Sequence, residues 1–242
     1  MSDSLAAQLS NYKSTPEITE LIKTTPILLL VGPTGAGKDA LKEKLLATGR
    51  YHHIISHTTR KPRINHGVEE QNGREYHFID LATAEHMLDE HAFIEAKMYS
   101  GNIYGTSVAE IQKAHDEGKV AMTDLEVQGV AEYKALDPSV IAVFLLPPDF
   151  TTWQERLQRR YGDVVDAEDY RLRLQTALTE LSQLLNTDYY VAVVNEELDS
   201  TFQAVEAIVA AKGQSTADQT EPRSVAQQLA TDIQAYLDRT TL

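Results

Sequence analysis

The feature that most constrains this chain is a glycine-rich turn that follows a run of apolar residues. Five apolar residues, Ile27 to Val31, end at Gly32, and the sequence Gly-Pro-Thr-Gly-Ala-Gly-Lys runs from there to Lys38. Leucines then recur at helical spacing. Glycines let several backbone N–H groups point at one anion, while the helix N-terminus and the lysine add positive charge. The pattern predicts a phosphate-binding loop (P-loop) between a buried strand and a helix; an ordinary glycine-rich turn is the alternative.

The position after Lys38 departs from the usual form of this loop. A Ser or Thr there gives a hydroxyl to Mg²⁺, but this chain has Asp39 followed by Ala40. Two like charges about 4 Å apart repel by about 4 kcal/mol at an effective dielectric of about 20, so a carboxylate weakens phosphate binding unless Mg²⁺ bridges the two groups. The sequence leaves both roles of Asp39 open, a ligand of Mg²⁺ or a side chain turned to solvent.

Short apolar runs recur along the chain and alternate with stretches of helical spacing. The runs are residues 120–122, 140–146 and 190–194. Strands of a parallel sheet read as continuous apolar runs because helices cover both faces of the sheet. The alternation therefore predicts an α/β fold of the P-loop NTPase type, with a parallel sheet flanked by helices.

Two parts of the chain depart from this alternation. Residues 51–98 contain shorter β-like pieces joined by polar turns, and they predict a small β-rich inserted subdomain. Residues 151–175 contain two helical stretches joined by a polar segment at 163–169. This pattern predicts a helical lid with a hinge, and an ordinary connection is the alternative.

The two ends of the chain fall outside the main domain, which is predicted for residues 26–212. Residues 1–25 predict a helical extension, 213–222 form a linker by composition, and 223–242 predict an amphipathic helix. The apolar positions of the extension are Leu5, Leu9, Ile18 and Leu21. The terminal helices are candidate surfaces for a homodimer, and the alternative for the tail is to cover its own domain.

Composition limits the partners of the chain. A formal net charge of −14 argues against binding of nucleic acid or an anionic membrane, because both require an excess of Lys and Arg. Cysteine is absent, which excludes disulfides and fits a reducing compartment. The first residues lack the pattern of a signal peptide, so we expect a cytoplasmic protein. The histidines between residues 52 and 66 lack the spacing of a ligand set, and we predict no zinc site.

A second group of phosphate-binding side chains lies in the predicted insertion. The sequence Ser-His-Thr-Thr-Arg-Lys-Pro-Arg runs from Ser56 to Arg63, and Tyr76 follows within Gly-Arg-Glu-Tyr-His-Phe. An arginine binds phosphate through two parallel hydrogen bonds, and a tyrosine donates its hydroxyl without adding charge. Taken alone, these arginines would be ordinary surface residues.

These segments closely resemble the signature of the guanylate kinase family, Ser-x-Thr-Thr-Arg-x-Pro-Arg followed by Gly-x-x-Tyr-x-Phe. Residues 93–95, 101–106 and 124–129 look like the family's next blocks, in the same order. The resemblance covers about residues 26–212, and it implies that the insertion at 51–98 binds a nucleoside monophosphate (NMP). It implies transfer of a phosphoryl group from ATP to GMP, and to dGMP, in purine nucleotide metabolism, with Mg²⁺ as the cofactor that accompanies ATP.

The resemblance also implies which residues form the site. The ATP side would comprise Gly32, Pro33, Thr34, Gly35, Ala36, Gly37, Lys38, Asp39 and Asn195. The GMP side would comprise Ser56, Arg60, Arg63, Glu70, Tyr76, Glu95, Tyr104, Thr106, Asp124 and Glu126. The catalytic cations would be Lys38, Arg60, Arg156, Arg160 and Arg173. Guanine offers two donors, N1–H and the amine, to a carboxylate such as Glu95, whereas adenine has an unprotonated N1.

Two further departures from the family concern the acceptor side. Four extra residues lie between Arg63 and Tyr76, so Glu69 and Glu70 compete for the family's acidic position. Counting back from the Asn-Gly pair at 72–73 favours Glu70. Glu126 stands where the family commonly has Asp, and its longer side chain would crowd or move the base.

Three functions remain open from the sequence. The first is the ATP:GMP phosphotransferase. The second is a related kinase for another phosphorylated acceptor such as a ribose bisphosphate, against which Glu95 and Thr106 argue because a sugar has no guanine edge. The third is a guanylate-kinase-like module that binds nucleotide or protein with weak catalysis or none, which Asp39 favours and Lys38 opposes.

Overall fold

A computed structural model of the chain describes residues 5, 8–9, 12–65, 68–99, 101–161, 167–214 and 218–240. The chain divides into two compact units. The first unit comprises Met1–Ile27 and Tyr51–Thr123, and the second comprises Leu28–Arg50 and Asp124–Leu242. No helix in the described ranges has the length and apolar character needed to cross a membrane.

Helices and strands alternate along most of the described chain. The helices are α1 (Pro16–Thr24), α2 (Lys38–Leu46), α3 (Leu81–Asp89), α4 (Val108–Asp116), α5 (Val127–Leu136), α6 (Phe150–Tyr161), α7 (Ala167–Leu185), α8 (Leu198–Ala210) and α9 (Thr220–Thr240). The strands are β1 (Ile27–Val31), β2 (Tyr51–His53), β3 (His57–Thr58), β4 (Ile64–Asn65), β5 (Val68–Glu69), β6 (His77–Phe78), β7 (Phe93–Tyr99), β8 (Asn102–Ser107), β9 (Val120–Asp124), β10 (Ile141–Leu146) and β11 (Tyr190–Val194).

The second unit is built around parallel strands. Strand β10 pairs in parallel with β1, where Leu28 lies opposite Ile141, and with β11, where Ala142 lies opposite Tyr190. Every residue of β1 and β10 is buried, because both strands are continuous apolar runs covered on both faces. Helix α8 packs against α2 and β11. The predicted α/β fold with a parallel sheet flanked by helices is confirmed.

The first unit contains the predicted insertion and a second sheet. That sheet has the strand order β6-β3-β8-β7, with β3 parallel to β6 and antiparallel to β8. Strand β2 pairs in parallel with β9. The unit boundary runs through β1 and β9, since Ile27 belongs to the first unit and Asp124 to the second. Helix α1 packs against α4.

The amino-terminal extension does not form the single helix that its apolar positions predicted. Residues 12–15 are not helical, and α1 begins at Pro16 behind the N-cap residue Thr15, whose side chain accepts from the N–H of Ile18. Proline at the first helical position suits a helix start and not a helix interior. The helix buries Ile18 and Ile22, whereas Leu21 is only half-buried. The apolar positions predicted as one face therefore belong to separate segments.

The carboxy-terminal helix covers part of its own unit. Helix α9 begins at Thr220, inside the predicted linker, and it packs against α6, α7, β10 and β11. Its buried residues are Ala226, Leu229, Ile233 and Leu237. The polar connection predicted as a lid hinge falls mainly on residues 162–166, which lie outside the described residues.

Candidate active site

The loop between β1 and α2 carries the predicted phosphate-binding residues. Gly37 is the N-cap residue of α2, with a φ of +101°. A Cβ atom there would lie 2.1 Å from Nδ2 of Asn195, and one on Gly32 would lie 2.2 Å from the carbonyl oxygen of Leu145. Only glycine fits both the backbone and the space at these positions. The first N–H groups of α2 have no partner within the helix, and such groups bind anions.

Neighbouring side chains of the second unit hold this loop in place. Nε1 of Trp153, on α6, donates to the carbonyl of Thr34 at 2.7 Å. Nδ2 of Asn195 donates to the carbonyl of Ala36 at 2.7 Å, and Oδ1 of Asn195 accepts from the hydroxyl of Thr201 at 2.9 Å. Both ends of this buried amide are therefore engaged. A contact of Asn195 with ATP stays a prediction.

Lys38 lies folded back on the loop that precedes it. Its Nζ donates to the carbonyl of Gly32 and, at 3.3 Å, to that of Pro33. Burial lowers the pKa of Lys38 below its ordinary value, and the carboxylates of Glu180 and Asp124 oppose this shift. The ammonium group thus lies among carbonyl oxygens, which phosphate oxygens can replace.

Asp39 contacts a cation of the predicted lid. Its Oδ2 lies 3.0 Å from Nη1 of Arg160, and its Oδ1 lies 3.9 Å from Nζ of Lys42. The Asp39 side chain is 56% exposed, so the pair with Arg160 is a surface ion pair. Lys42 also pairs with Asp124 at 2.7 Å. The structure therefore adds a third role to the two that the sequence left open, since Asp39 attracts a lid arginine.

The other two lid arginines have different partners. Nη2 of Arg156 donates to the carbonyl of Asn195 at 2.9 Å, at the end of β11. Nη2 of Arg173, on α7, donates to Oδ2 of Asp169 at 2.8 Å. Arg156 and Arg160 lie on α6 four positions apart, as predicted from their spacing.

Glu180 is a site residue that the sequence reasoning missed. Its carboxylate acts electrostatically on Lys38, and burial raises its pKa above the ordinary value. Its Oε2 is buried and has no hydrogen-bond partner among the described residues. The available signal was an acidic residue between the buried Ala177 and Leu184 on the apolar stripe of α7.

In the first unit, the predicted acceptor residues gather around Arg60. Its side chain is 9% exposed, and the guanidinium binds Glu70 bidentately, with Nη1 to Oε2 at 2.8 Å and Nη2 to Oε1 at 3.1 Å. Nε of Arg60 donates to the hydroxyl of Tyr104 at 3.2 Å. The rings of Tyr76 and Phe78 lie 5.3 Å and 5.7 Å from the guanidinium carbon. Hydrogen bonding to Arg60 lowers the pKa of Glu70, so the carboxylate stays charged.

A small hairpin explains why Glu70 and not Glu69 meets Arg60. Strands β4 and β5 pair Ile64 with Glu69, and the N–H of Glu70 then donates to the carbonyl of Arg63 at 2.9 Å. Glu69 is exposed on this hairpin. The Glu70 carboxylate also accepts from the N–H of Arg63 at 2.8 Å, while the residue Arg63 as a whole is exposed. The hairpin lies where the chain has its extra residues.

The predicted guanine-reading residues lie on β7, β8 and the chain before β3. Oε1 of Glu95 accepts from the N–H of Thr106 at 3.1 Å. Thr106 is fully buried, and its hydroxyl has no hydrogen-bond partner among the residues that the structure describes. Ser56 is half-buried and directly precedes β3, which pairs with β8. Asp124 and Glu126 belong to the second unit, where Glu126 is the exposed N-cap residue of α5.

The carboxylates near the glycine-rich loop suit Mg²⁺ only when a nucleotide supplies further ligands. Within the described ranges, no group of three or more His, Cys, Asp or Glu residues is placed to hold a metal ion. Mg²⁺ usually keeps several waters and binds through one or two carboxylates plus substrate phosphates. Asp39, a carboxylate at the start of α2, is compatible with that arrangement.

The parallel sheet flanked by helices and the glycine-rich loop between β1 and α2 define a P-loop α/β protein. The sequence pattern described as guanylate kinase matches residues 23–212, and the chain belongs to the guanylate kinase family. The chain is similar to the guanylate kinase of Nitrosospira multiformis, with 34% identity over 81% of this chain and 91% of the relative. It is also similar to that of Schizosaccharomyces pombe, with 32% identity over 84% and 98%.

A solved structure supports the same assignment. The crystal structure of guanylate kinase from Anaplasma phagocytophilum matches with a TM-score of 0.56 and 25% identity. The match covers 80% of this chain and 88% of that chain. The family resemblance expected from the motifs is therefore confirmed.

Proposed function

We propose that this chain transfers a phosphoryl group from ATP to GMP, and that dGMP is a second acceptor. The observation that carries the proposal is the contact cluster around Arg60, because Glu70, Tyr76 and Tyr104 all touch that one guanidinium. An arginine that its neighbours hold in place next to the Tyr104 hydroxyl suits a phosphate monoester. The similar proteins described above are guanylate kinases, which supports the same acceptor.

On the acceptor side, the residues divide between phosphate and base. Arg60, Arg63, Tyr76 and Tyr104 bind the phosphate of GMP in this proposal. Glu95 accepts hydrogen bonds from N1–H and the amine of guanine, and the buried hydroxyl of Thr106 supplies a further polar partner. Adenine in the same position offers Glu95 neither of these two donors, which costs about 1–3 kcal/mol and favours GMP over AMP.

On the donor side, the loop amides and Lys38 bind the phosphates of ATP. Lys38 exchanges its carbonyl partners for phosphate oxygens, and the loop needs no rebuilding because Trp153 and Asn195 already hold it. Asp39 is the residue that would hold Mg²⁺ bound with ATP, and the ion would supply positive charge against the developing phosphate charge.

Charge stabilisation and positioning supply the catalysis. The acceptor is already a phosphate oxyanion, so no general base is required. Arg156, Arg160 and Arg173 are the cations that surround the transferred group in this proposal. Arg160 reaches it by leaving Asp39, and a surface ion pair of this kind contributes only about 0–1 kcal/mol.

A coupled assay of ADP formation with GMP, dGMP, AMP and a ribose bisphosphate tests the function. We expect turnover with GMP and dGMP and little with the other two. Turnover only with the ribose bisphosphate would assign the chain to another acceptor. GMP binding without any turnover would make it a binding module.

A matched pair of variants tests the acceptor cluster in the same assay. Glu70→Gln weakens the two hydrogen bonds that hold the Arg60 guanidinium in place. We therefore expect the KM for GMP to rise about tenfold, or about 1.4 kcal/mol. Glu69→Gln should leave it within about twofold, because Glu69 is exposed on the hairpin. Equal effects of the two substitutions would contradict the assignment of Glu70.

We also propose a cytoplasmic location and no nucleic-acid or membrane partner. The absence of cysteine and the net charge of −14 support both. A homodimer through the terminal segments stays a prediction, since the buried apolar residues of α9 are already covered within their own unit.

A further inference from the structure

The amino-terminal segment, here residues 5, 8–9 and 12–15, precedes the part of the chain that matches the family. Leu5 and Leu9 are 2% and 8% exposed, and both belong to one hydrophobic cluster. The other buried members of that cluster come from α3, β7 and β8, and they are Ala84, Leu88, Phe93, Ala96 and Ile103. The segment thus completes the core of the sheet that carries the acceptor residues.

Two side chains of this segment bind the backbone of β7. The Tyr12 hydroxyl donates to the carbonyl of Phe93 at 2.6 Å and accepts from its N–H at 3.1 Å. The Ser14 hydroxyl donates to the carbonyl of Ile94 at 2.6 Å. Burial and the nearby Glu95 carboxylate raise the pKa of Tyr12, against the effect of its bond to Phe93, so the hydroxyl remains protonated and can donate.

These contacts fall on an irregularity in the sheet. Strand β8 pairs Ser107 with Phe93 and Thr106 with Glu95, which leaves Ile94 as an extra residue in β7. Such a β-bulge breaks the ladder, leaves backbone groups to be satisfied elsewhere and changes the direction of the next side chain. Tyr12 and Ser14 bind the two residues immediately before Glu95.

We infer that the amino-terminal segment is a positioning element for the acceptor: Tyr12 and Ser14 hold the β7 bulge and thereby fix the direction of the Glu95 carboxylate. The inference rests on the proposed function, because it assigns Glu95 to guanine. The segment contacts no reacting group itself in this proposal. It acts through Glu95, and so it influences the choice of acceptor and not the transfer step.

The experiment uses the full chain with Tyr12→Phe, Ser14→Ala and the double variant. We expect the KM for GMP to rise about fivefold in each single variant, and more in the double variant, while kcat at saturating GMP and the KM for ATP stay within about twofold. The preference for GMP over AMP should fall by at least about fivefold, because a loosely held carboxylate discriminates less.

Thr15→Ala is the matched control. It removes the N-cap hydrogen bond of α1 in the same part of the chain without touching β7. Its acceptor constants should equal those of the wild type. Amide hydrogen exchange at residues 93–97 supplies an independent readout, and it should be faster in the Tyr12 and Ser14 variants than in the control.

The outcomes separate this inference from the proposed function. A wild-type chain that forms no ADP with GMP overturns both. If the wild type phosphorylates GMP but the Tyr12 and Ser14 variants keep its KM for GMP and its GMP preference, the inference alone is overturned. The same holds if Thr15→Ala changes these constants as much as the other variants, since the effect would then be general loosening.

Discussion

At the scale of single residues, Asp39 separates this chain from the usual P-loop. A carboxylate stands where a hydroxyl normally ligates Mg²⁺, and it pairs with Arg160 across 121 positions of sequence. The pair neutralises part of the charge next to the loop, but ATP binding must still bring phosphates near this carboxylate. Asp39 thus contacts an arginine of the predicted lid, and under the proposed function its charge would lower the affinity for ATP.

Replacing Asp39 tests this balance. We expect Asp39→Ser to lower the KM for ATP about fivefold, or about 1 kcal/mol, because the serine hydroxyl takes over as the usual Mg²⁺ ligand of this loop without a negative charge near the phosphates. Asp39→Asn is the control, since it removes the charge without supplying a hydroxyl. A larger gain for Ser than for Asn would assign the remainder to Mg²⁺ ligation. Steady-state kinetics with varied ATP measures both, and a loss of activity in both variants would contradict the charge argument.

At the scale of elements, α9 supports the helices of the predicted lid. The guanidinium of Arg223 donates to the carbonyls of Leu184 and Thr187 at 2.9 Å each, at the C-terminus of α7. Those carbonyls have no partner within the helix, and a cation at this end also interacts favourably with the helix dipole. The ring of Tyr236 contacts those of Phe150 and Tyr170, so α9 touches both α6 and α7.

A substitution of Arg223 has a matched control in Arg239, which lies on the same helix, α9. Arg223→Ala should lower the free energy of unfolding by about 1–2 kcal/mol, because two part-buried carbonyls lose a charged donor. Arg239→Ala should change it by less than about 0.5 kcal/mol, because among the described residues Arg239 bonds to Ala235 of its own helix and to no other helix. Urea unfolding of the two variants measures the difference. Equal values would show that the Arg223 bonds contribute little.

At the scale of the whole molecule, most residues of the two predicted ligand sites belong to different compact units. The cluster around Arg60 lies in the first unit, and the loop with Lys38 lies in the second. Each ligand should therefore stabilise mainly the unit that holds it, because binding favours the state that binds.

Amide hydrogen exchange with one ligand at a time tests this division. GMP alone should slow exchange mainly at residues 56–63 and 93–106. A non-hydrolysable ATP analogue alone should slow it mainly at residues 32–41, because the loop amides bind the phosphates. GMP protection confined to residues 32–41 would contradict the assignment of the acceptor site.

Local patterns were sufficient to predict β1, the glycine-rich loop after it and α2. They also predicted that Arg156 and Arg160 lie on one face of α6. Apolar runs and glycines act over a few residues, so their effect can be read directly from the chain. The start of α1 is a counterexample, because Pro16 and the cap at Thr15 divide a stretch that has a continuous apolar pattern. Glu180 was missed because a surface charge and a buried charge look alike in sequence.

The amino-acid sequence by itself determined the class of fold, the phosphate-binding loop and the family, since these depend on short motifs in a fixed order. Only the tertiary structure decided the partners of individual side chains. It chose Glu70 for Arg60, Arg160 for Asp39, and Phe93 for Tyr12, a pair separated by 81 positions. Such pairs form when distant elements pack together, and that packing is set by the burial of the whole core and not by any local pattern.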